Sequence, residues 1–265
     1  MSKLIRDYIL AIPTIVLSLL SLVSWFSVVA IYLDGQISFQ SALLLCALFG
    51  YINFTPMHEA AHGNICGRHK SYENLEILIG HLSAFTLFIP FSIFKLLHLR
   101  HHSFTNVKEH DPDYWVATCN PLLLLLKCLT IKLSYYYHAI FRPTKAIREK
   151  WPSMFMSLAL YFTLLFFAWS FDLGMQLFEL WITSAIIAMA MLAFGFDWLP
   201  HTPHSGIGRY QDTVIIDKKW LTIPLLFQNY HLIHHLYPRV PFYRYKKVYG
   251  EIQEELITNN SRIIK

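Results

Sequence analysis

Of the fourteen histidines in this 265-residue chain, eight fall into three tight groups. His58 and His62 stand four apart in the stretch His58-Glu59-Ala60-Ala61-His62. His98, His101 and His102 form an HxxHH box, and His231, His234 and His235 repeat its spacing. On a helix, offsets of three and four put side chains on one face. Each group therefore presents its imidazoles in one direction, which is how a protein grips a metal ion. Imidazole suits iron, copper and zinc alike, so the spacing points to a metal centre without naming the metal. HExxH taken alone is a zinc-protease pattern with Glu59 as base. A single tetrahedral zinc uses about four ligands, however. Eight imidazoles, or nine with His201 in the run "WLPHTPHS", fit two ions with open positions. His204 in that run is a weaker candidate. His69, His81, His110 and His138 stand alone and read as interfacial hydrogen-bonding residues.

Metal-bound imidazoles need their second ring nitrogen held by a carboxylate, a carbonyl or water. Glu59, Asp111, Asp113, Asp197 and Asp212 are candidates for that task. Asn229, just ahead of the third group, is a candidate to orient a ligand or a metal-bound water.

Four apolar stretches position these groups, at about residues 8–33, 38–57, 152–171 and 176–199. Each approaches the roughly 20 apolar residues that a membrane span requires. Short links join them in pairs, so they form two helical hairpins. The runs 75–97 and 120–140 are also apolar. If 75–97 crossed alone, it would carry the second group to the opposite side from the first. Both runs are therefore expected to lie in the interface or re-enter it, the rival being six spans. The expected fold is an all-α polytopic membrane protein. It has four transmembrane helices in two hairpins, interfacial helices and a cytoplasmic histidine-rich di-metal site.

Composition agrees. The chain is 55% hydrophobic and 15% charged, with mean hydropathy +0.39. Soluble domains carry nearer about 25% charge. All 22 Lys and Arg lie before the first span, between Arg68 and Lys150, or between Arg209 and Lys265. Since basic residues accumulate on the cytoplasmic side, both termini and the long middle region are expected there. The net charge of +5 then reflects span flanks rather than nucleic acid. Trp169, Trp181 and Tyr32 sit near the expected outer ends, Trp151 and Trp198 near the inner ones. The four cysteines form no C-x-x-C pair and read as reduced packing residues. The first apolar run is too long for a cleaved signal peptide and reads as a retained anchor. No linker or repeat divides the chain, so residues 1–265 are expected to form a single domain.

The stretches "HEAAHGN", "HLRHHSFTNVKEHDPD" and "QNYHLIHHLYP", in this order and with paired spans before the first and third, resemble the membrane fatty acid desaturase superfamily. The resemblance covers roughly residues 10–250. It implies two irons that activate O2, held by His58, His62, His98, His101, His102, His231, His234 and His235. His201 is a further ligand that some members supply. It also favours Asp111 and Asp113 as supporting carboxylates and makes Glu59 support rather than base. The implied activity is desaturation of a fatty-acyl chain of a lipid or thioester. The same residues would serve a hydroxylase or ketolase of a carotenoid or other lipid, and an intramembrane zinc protease is the remote alternative. No cytochrome motif, iron–sulfur cysteine set or nucleotide-binding glycine run is present. A separate ferredoxin or b-type cytochrome, with its reductase, is therefore the implied electron donor.

Overall fold

The computed structural model describes residues 8–67 and 69–265. Lys3, Arg6 and Arg68, three charges of the basic asymmetry, lie outside the described residues. Four long apolar helices make this an integral membrane protein: α1 (Ile12–Leu33), α2 (Phe39–Ala61), α8 (Trp151–Trp169) and α9 (Gly174–Leu192). The last continues as a π-helical turn, Ala193–Trp198. Between the two hairpins run α3 (Glu73–Thr86), α4 (Phe91–Ser103), α5 (Pro121–Leu129), α6 (Ile131–Ile140) and the short α7 (Lys145–Glu149). After α9 come α10 (His231–Leu236), α11 (Tyr245–Glu251) and α12 (Gln253–Thr258). A two-residue parallel pair, β1 (Ile215–Ile216) with β2 (Ile263–Ile264), joins this last region.

Local chemistry sets several of these boundaries. Pro13 opens α1, where its missing N–H costs nothing. Ser38 caps α2 by accepting from the Ser41 amide, and the Asn120 side chain caps α5 through the Leu122 and Leu123 amides. Helix α2 is the centre of the bundle, packed by α1, α3 and α9. Its Gly50 lets α9 approach so closely that a Cβ there would stand 3.3 Å from the Ala188 methyl. Polar pairs add cross-links where lipid cannot. Ser21 Oγ bonds Asn53 Oδ1 at 2.7 Å between α1 and α2. Outward faces carry apolar side chains, such as Leu20, Val23 and Phe166, as contact with lipid tails requires.

The run 75–97 does not cross. It breaks at residues 87–90, where Phe88 takes a positive φ of 50°, and α3 and α4 bend by 96°. At 1.5 Å per residue each is about 20 Å long, too short for a core of about 30 Å. Helix α3 starts beside the first histidine group, where Glu76 accepts from the Ile65 and Cys66 amides. Helix α4 ends on the second group. Departure and return are therefore at the same end of the bundle, and the run re-enters. Gly80 leaves room for the turn-back, because a Cβ there would clash with the outer edge of the Phe91 ring. The run 120–140 likewise breaks into α5 and α6, each shorter still, with Leu122, Leu125 and Leu126 exposed.

The tryptophans divide differently from expectation. Trp181 is buried in an aromatic core with Trp25, Phe85 and Tyr161, its Nε1 donating to Phe85 O. It fills the space above the α3–α4 corner instead of marking an interface. His138 also differs, being buried against α6's neighbours rather than interfacial. All four cysteines are free, and three are buried.

Residues 199–265 form a cap over the ends of α2 and α4, with its own core of Ile215, Tyr230, Ile233, Tyr245 and Val248. Asn64 Nδ2 donates to Pro238 O at 3.0 Å, and Phe242 N donates to Glu59 Oε2 at 3.2 Å. These bonds fasten the segment after α10 to the end of α2, which brings the third box to the first two.

Candidate metal centre

Nine imidazoles meet where the cap closes on α2, α4 and the π-turn. They sort into two sets that could each hold a metal ion. His58, His62, His98, His102 and His234 form one, and His101, His201, His231 and His235 the other, with ligand atoms of each set within 4.8 Å of one another. In the first set His62 Nε2 lies 2.7 Å from His98 Nε2, and His58 Nε2 3.0 Å from His234 Nε2. In the second, His235 Nε2 stands 3.2 Å from His231 Nε2 and 3.4 Å from His101 Nε2. The sets share a wall, because His101 and His102 are adjacent in α4 and His234 and His235 in α10.

The boxes are not one-directional, as spacing alone suggested. Each HxxHH box serves both sets: His98 and His102 point one way and His101 the other, while His231 and His235 pair against His234.

The chemistry of the donors indicates why a cation belongs here. His101 Nδ1 donates to Asp111 Oδ1 at 2.8 Å, with Asp113 Oδ2 at 3.3 Å. His231 Nδ1 donates to Gln228 Oε1 at 2.8 Å. In a neutral ring the other nitrogen is then a bare lone pair. Bare Nε2 atoms facing each other repel unless something positive lies between them. Burial and mutual repulsion hold His98, His102, His201, His231, His234 and His235 well below the ordinary imidazole range, so these rings are neutral donors. Burial pulls His101 down too, but the Asp111 and Asp113 carboxylates outweigh it and push it up to about 10. Both ring nitrogens of His201 are buried without a hydrogen-bond partner, and the ring packs 4.8 Å from His101 and 5.0 Å from His231.

The fatty acid desaturase family model matches residues 37–264, a stretch that holds all three boxes and His201. The chain belongs to the fatty acid desaturase family. A similar protein is the sn-1 oleoyl-lipid 12-desaturase of Picosynechococcus sp., 26% identical over 235 residues. That match covers 72% of this chain and 64% of the relative, so the chain spans less than two thirds of the relative's length.

Against this desaturase-family frame, the supporting residues divide. Asp111 and Asp113 hold His101, as above. Asp212 Oδ2 is 3.9 Å from His235 Nδ1, which also lies 3.4 Å from Thr105 Oγ1. Glu59 Oε1 is 3.7 Å from His58 Nδ1, while its other oxygen takes the Phe242 amide. Glu59 therefore points toward the cap, away from any water a protease would activate between His58 and His62. Asp197 lines a narrow cavity with His58, His98, His101 and His231. His204 stacks at 6.3 Å from His201 and joins neither set. Asn229 turns away, donating to Ile216 O at 3.0 Å and so tying the third box to β1. The residue before it, Gln228, does the orienting instead.

Two partners escaped the sequence reading: Gln228, and Tyr245, whose hydroxyl is 2.9 Å from His234 Nδ1. Gln228 had a signal, since it stands three residues before His231 and so shares a helical face with it. Tyr245 lies eleven residues past His234, and only the fold brings it back.

Proposed function

We propose that this chain is an O2-dependent membrane di-iron oxidase that desaturates a fatty-acyl chain of a lipid or thioester, using electrons from a separate carrier. The observation that carries the reading is the sorting of nine imidazoles into adjoining sets of five and four. Neutral nitrogen donors in such sets suit iron. His58, His62, His98, His102 and His234 would hold one ion, and His101, His201, His231 and His235 the other. Irons bound there would supply the oxidising power that an unactivated C–H bond demands.

The chain's own residues do the rest. Phe54, Phe196 and Tyr135 line the narrow cavity beneath His58, His101 and His231. Their rings pack beside the centre, sharing that cavity with Asp113, Asp197 and Gln228. Asp111, Gln228 and Tyr245 fix the ring orientations, so that the nitrogens stay aimed while substrate enters. Spans and cap both contribute ligands, which supports reading residues 1–265 as one domain. The basic asymmetry supports a cytoplasmic site with both termini on that side. The electron source in this reading is a ferredoxin or b-type cytochrome with its reductase.

The test is metal analysis of purified protein combined with lipid product analysis. About two irons per chain and a new double bond in an acyl chain are expected. Hydroxylated carotenoid with unchanged acyl chains would replace this reading with a hydroxylase. One zinc per chain, with activity surviving His234→Ala, would restore the protease.

A further inference from the structure

An open notch in the cap-side surface reaches both ligand sets at once. Its floor includes His102, from the set of five, and His235, from the set of four. Its volume is about 320 Å3, and its walls include Phe104, Ile207, Arg209 and Asp212. Ile207 is 73% exposed and Phe104 43%, so two apolar side chains stand in water at the rim. The His235 ring beneath is only 2% exposed. Solvent is thus kept off the imidazole, yet a partner seated in the notch would be separated from it by little more than its own surface. Electrons cross such a thin wall without needing an opening.

Charge indicates the kind of partner. The described segments that build this end, 69–150 and 209–265, carry nineteen Lys and Arg against eleven Asp and Glu. Glu76, Asp111 and Asp113 among those acids are buried. At the notch itself Arg209 is exposed; beside the lining residue Val107, exposed Lys108 is followed by exposed Glu109, which offsets it. Asp212 is the acid in the wall, and it faces inward toward His235.

We infer that this notch is the docking site of an acidic one-electron carrier protein, with Ile207 and Phe104 as the apolar contact and Arg209 steering the approach. The inference rests on the oxidase reading. Desaturation consumes one O2, two hydrogens of the substrate, two electrons and two protons, and yields two waters. The carrier must therefore dock and leave twice per turnover. A small contact with charge complementarity suits such transient exchange.

The test uses the full-length protein in lipid nanodiscs and a plant-type ferredoxin of net negative charge. Arg209→Glu and Ile207→Asp should each raise the Kd of oxidised ferredoxin, and the KM for reduced ferredoxin, about tenfold. Turnover driven by dithionite with methyl viologen should not change, because that donor needs no docking surface. In the wild type, Kd should rise with salt, and this dependence should weaken in Arg209→Glu. Unchanged Kd in both variants would place docking elsewhere and overturn the inference. Equal loss with ferredoxin and with dithionite would also overturn it, since the residues would then support the centre itself. Wild-type protein that turns over with neither donor would instead defeat the oxidase reading on which the inference stands.

Discussion

Replacing Asp111 by Asn removes one charge and almost no volume, and it should damage one metal site alone. Asp111 Oδ1 accepts from His101 Nδ1 at 2.8 Å and from Asp113 N at 2.9 Å, and Oδ2 accepts from Asn106 N at 2.8 Å. All three partners are donors. An amide has one acceptor oxygen, so in either orientation its NH2 meets a donor. At least one buried group loses its partner, each at a cost of about 1–3 kcal/mol. His101 also loses the charge that sets its tautomer. Loss of such support weakens metal binding about 10- to 100-fold, or about 1.4–2.7 kcal/mol. The assay is a competition titration of metal-stripped protein against a chromophoric chelator. Two binding phases are expected in the wild type. In Asp111→Asn, the phase belonging to His101, His201, His231 and His235 should weaken by that factor, and the other should stay. Asp113→Asn should do less, because its oxygen is 3.3 Å from His101. Equal weakening of both phases, or of neither, would refute the assignment of Asp111 to one set.

Tyr245→Phe leaves His234 Nδ1 without its partner and should weaken the five-histidine phase, at a stability cost of about 1 kcal/mol in a denaturant titration. Gln228→Leu should weaken the four-histidine phase. Asn229→Leu should lower the melting temperature of metal-free protein, since its bond goes to β1, and leave metal affinity near wild type once folded. Stability of the metal-free protein should peak at about pH 6.5, by melting temperature across buffers. The six depressed imidazoles contribute stability that is present above about 6.5 and is lost as pH falls through their folded values. His101, pushed up to about 10, contributes stability that is complete below about 6.5 and lost as pH rises through about 10. A profile that only rises or only falls would rule out one of these two opposing groups.

The spans and boxes were legible because their signals are local: hydropathy over about 20 residues, and imidazoles within one helical turn. That 75–97 turns back was legible from the sides of the histidine groups, but where it breaks was not, because that depends on Phe91 lying over Gly80 and on the positive φ of Phe88. Neither leaves a mark on apolar periodicity. Trp181 misled for the same reason. A tryptophan near a span end looks alike whether its neighbours are lipid heads or the Phe85 ring, and only tertiary packing chooses. Among second nitrogen partners the charged Asp111 was legible, whereas Gln228, uncharged, had only its place three residues before His231 to mark it.

The geometry of the boxes themselves supplies the sharpest remaining test. A helix turns about 100° per residue, so in HxxHH the fifth residue lies about 40° to one side of the first and the fourth about 60° to the other. The last two imidazoles therefore diverge by about 100°. In α4 the first and fifth, His98 and His102, join the five-histidine set, and the fourth, His101, crosses to the other. In α10 the first and fifth, His231 and His235, join the four-histidine set, and His234 crosses back. Two helices meeting with that spacing exchange one ligand each, and the exchange makes the shared wall. It follows that His101→Ala and His234→Ala should weaken opposite phases from their own box-mates. His234→Ala should pair in effect with His62→Ala, from another helix, and not with His231→Ala. Effects that group by box rather than by set in the same titration would mean that each box holds its own ion, and the shared wall would be lost from the argument.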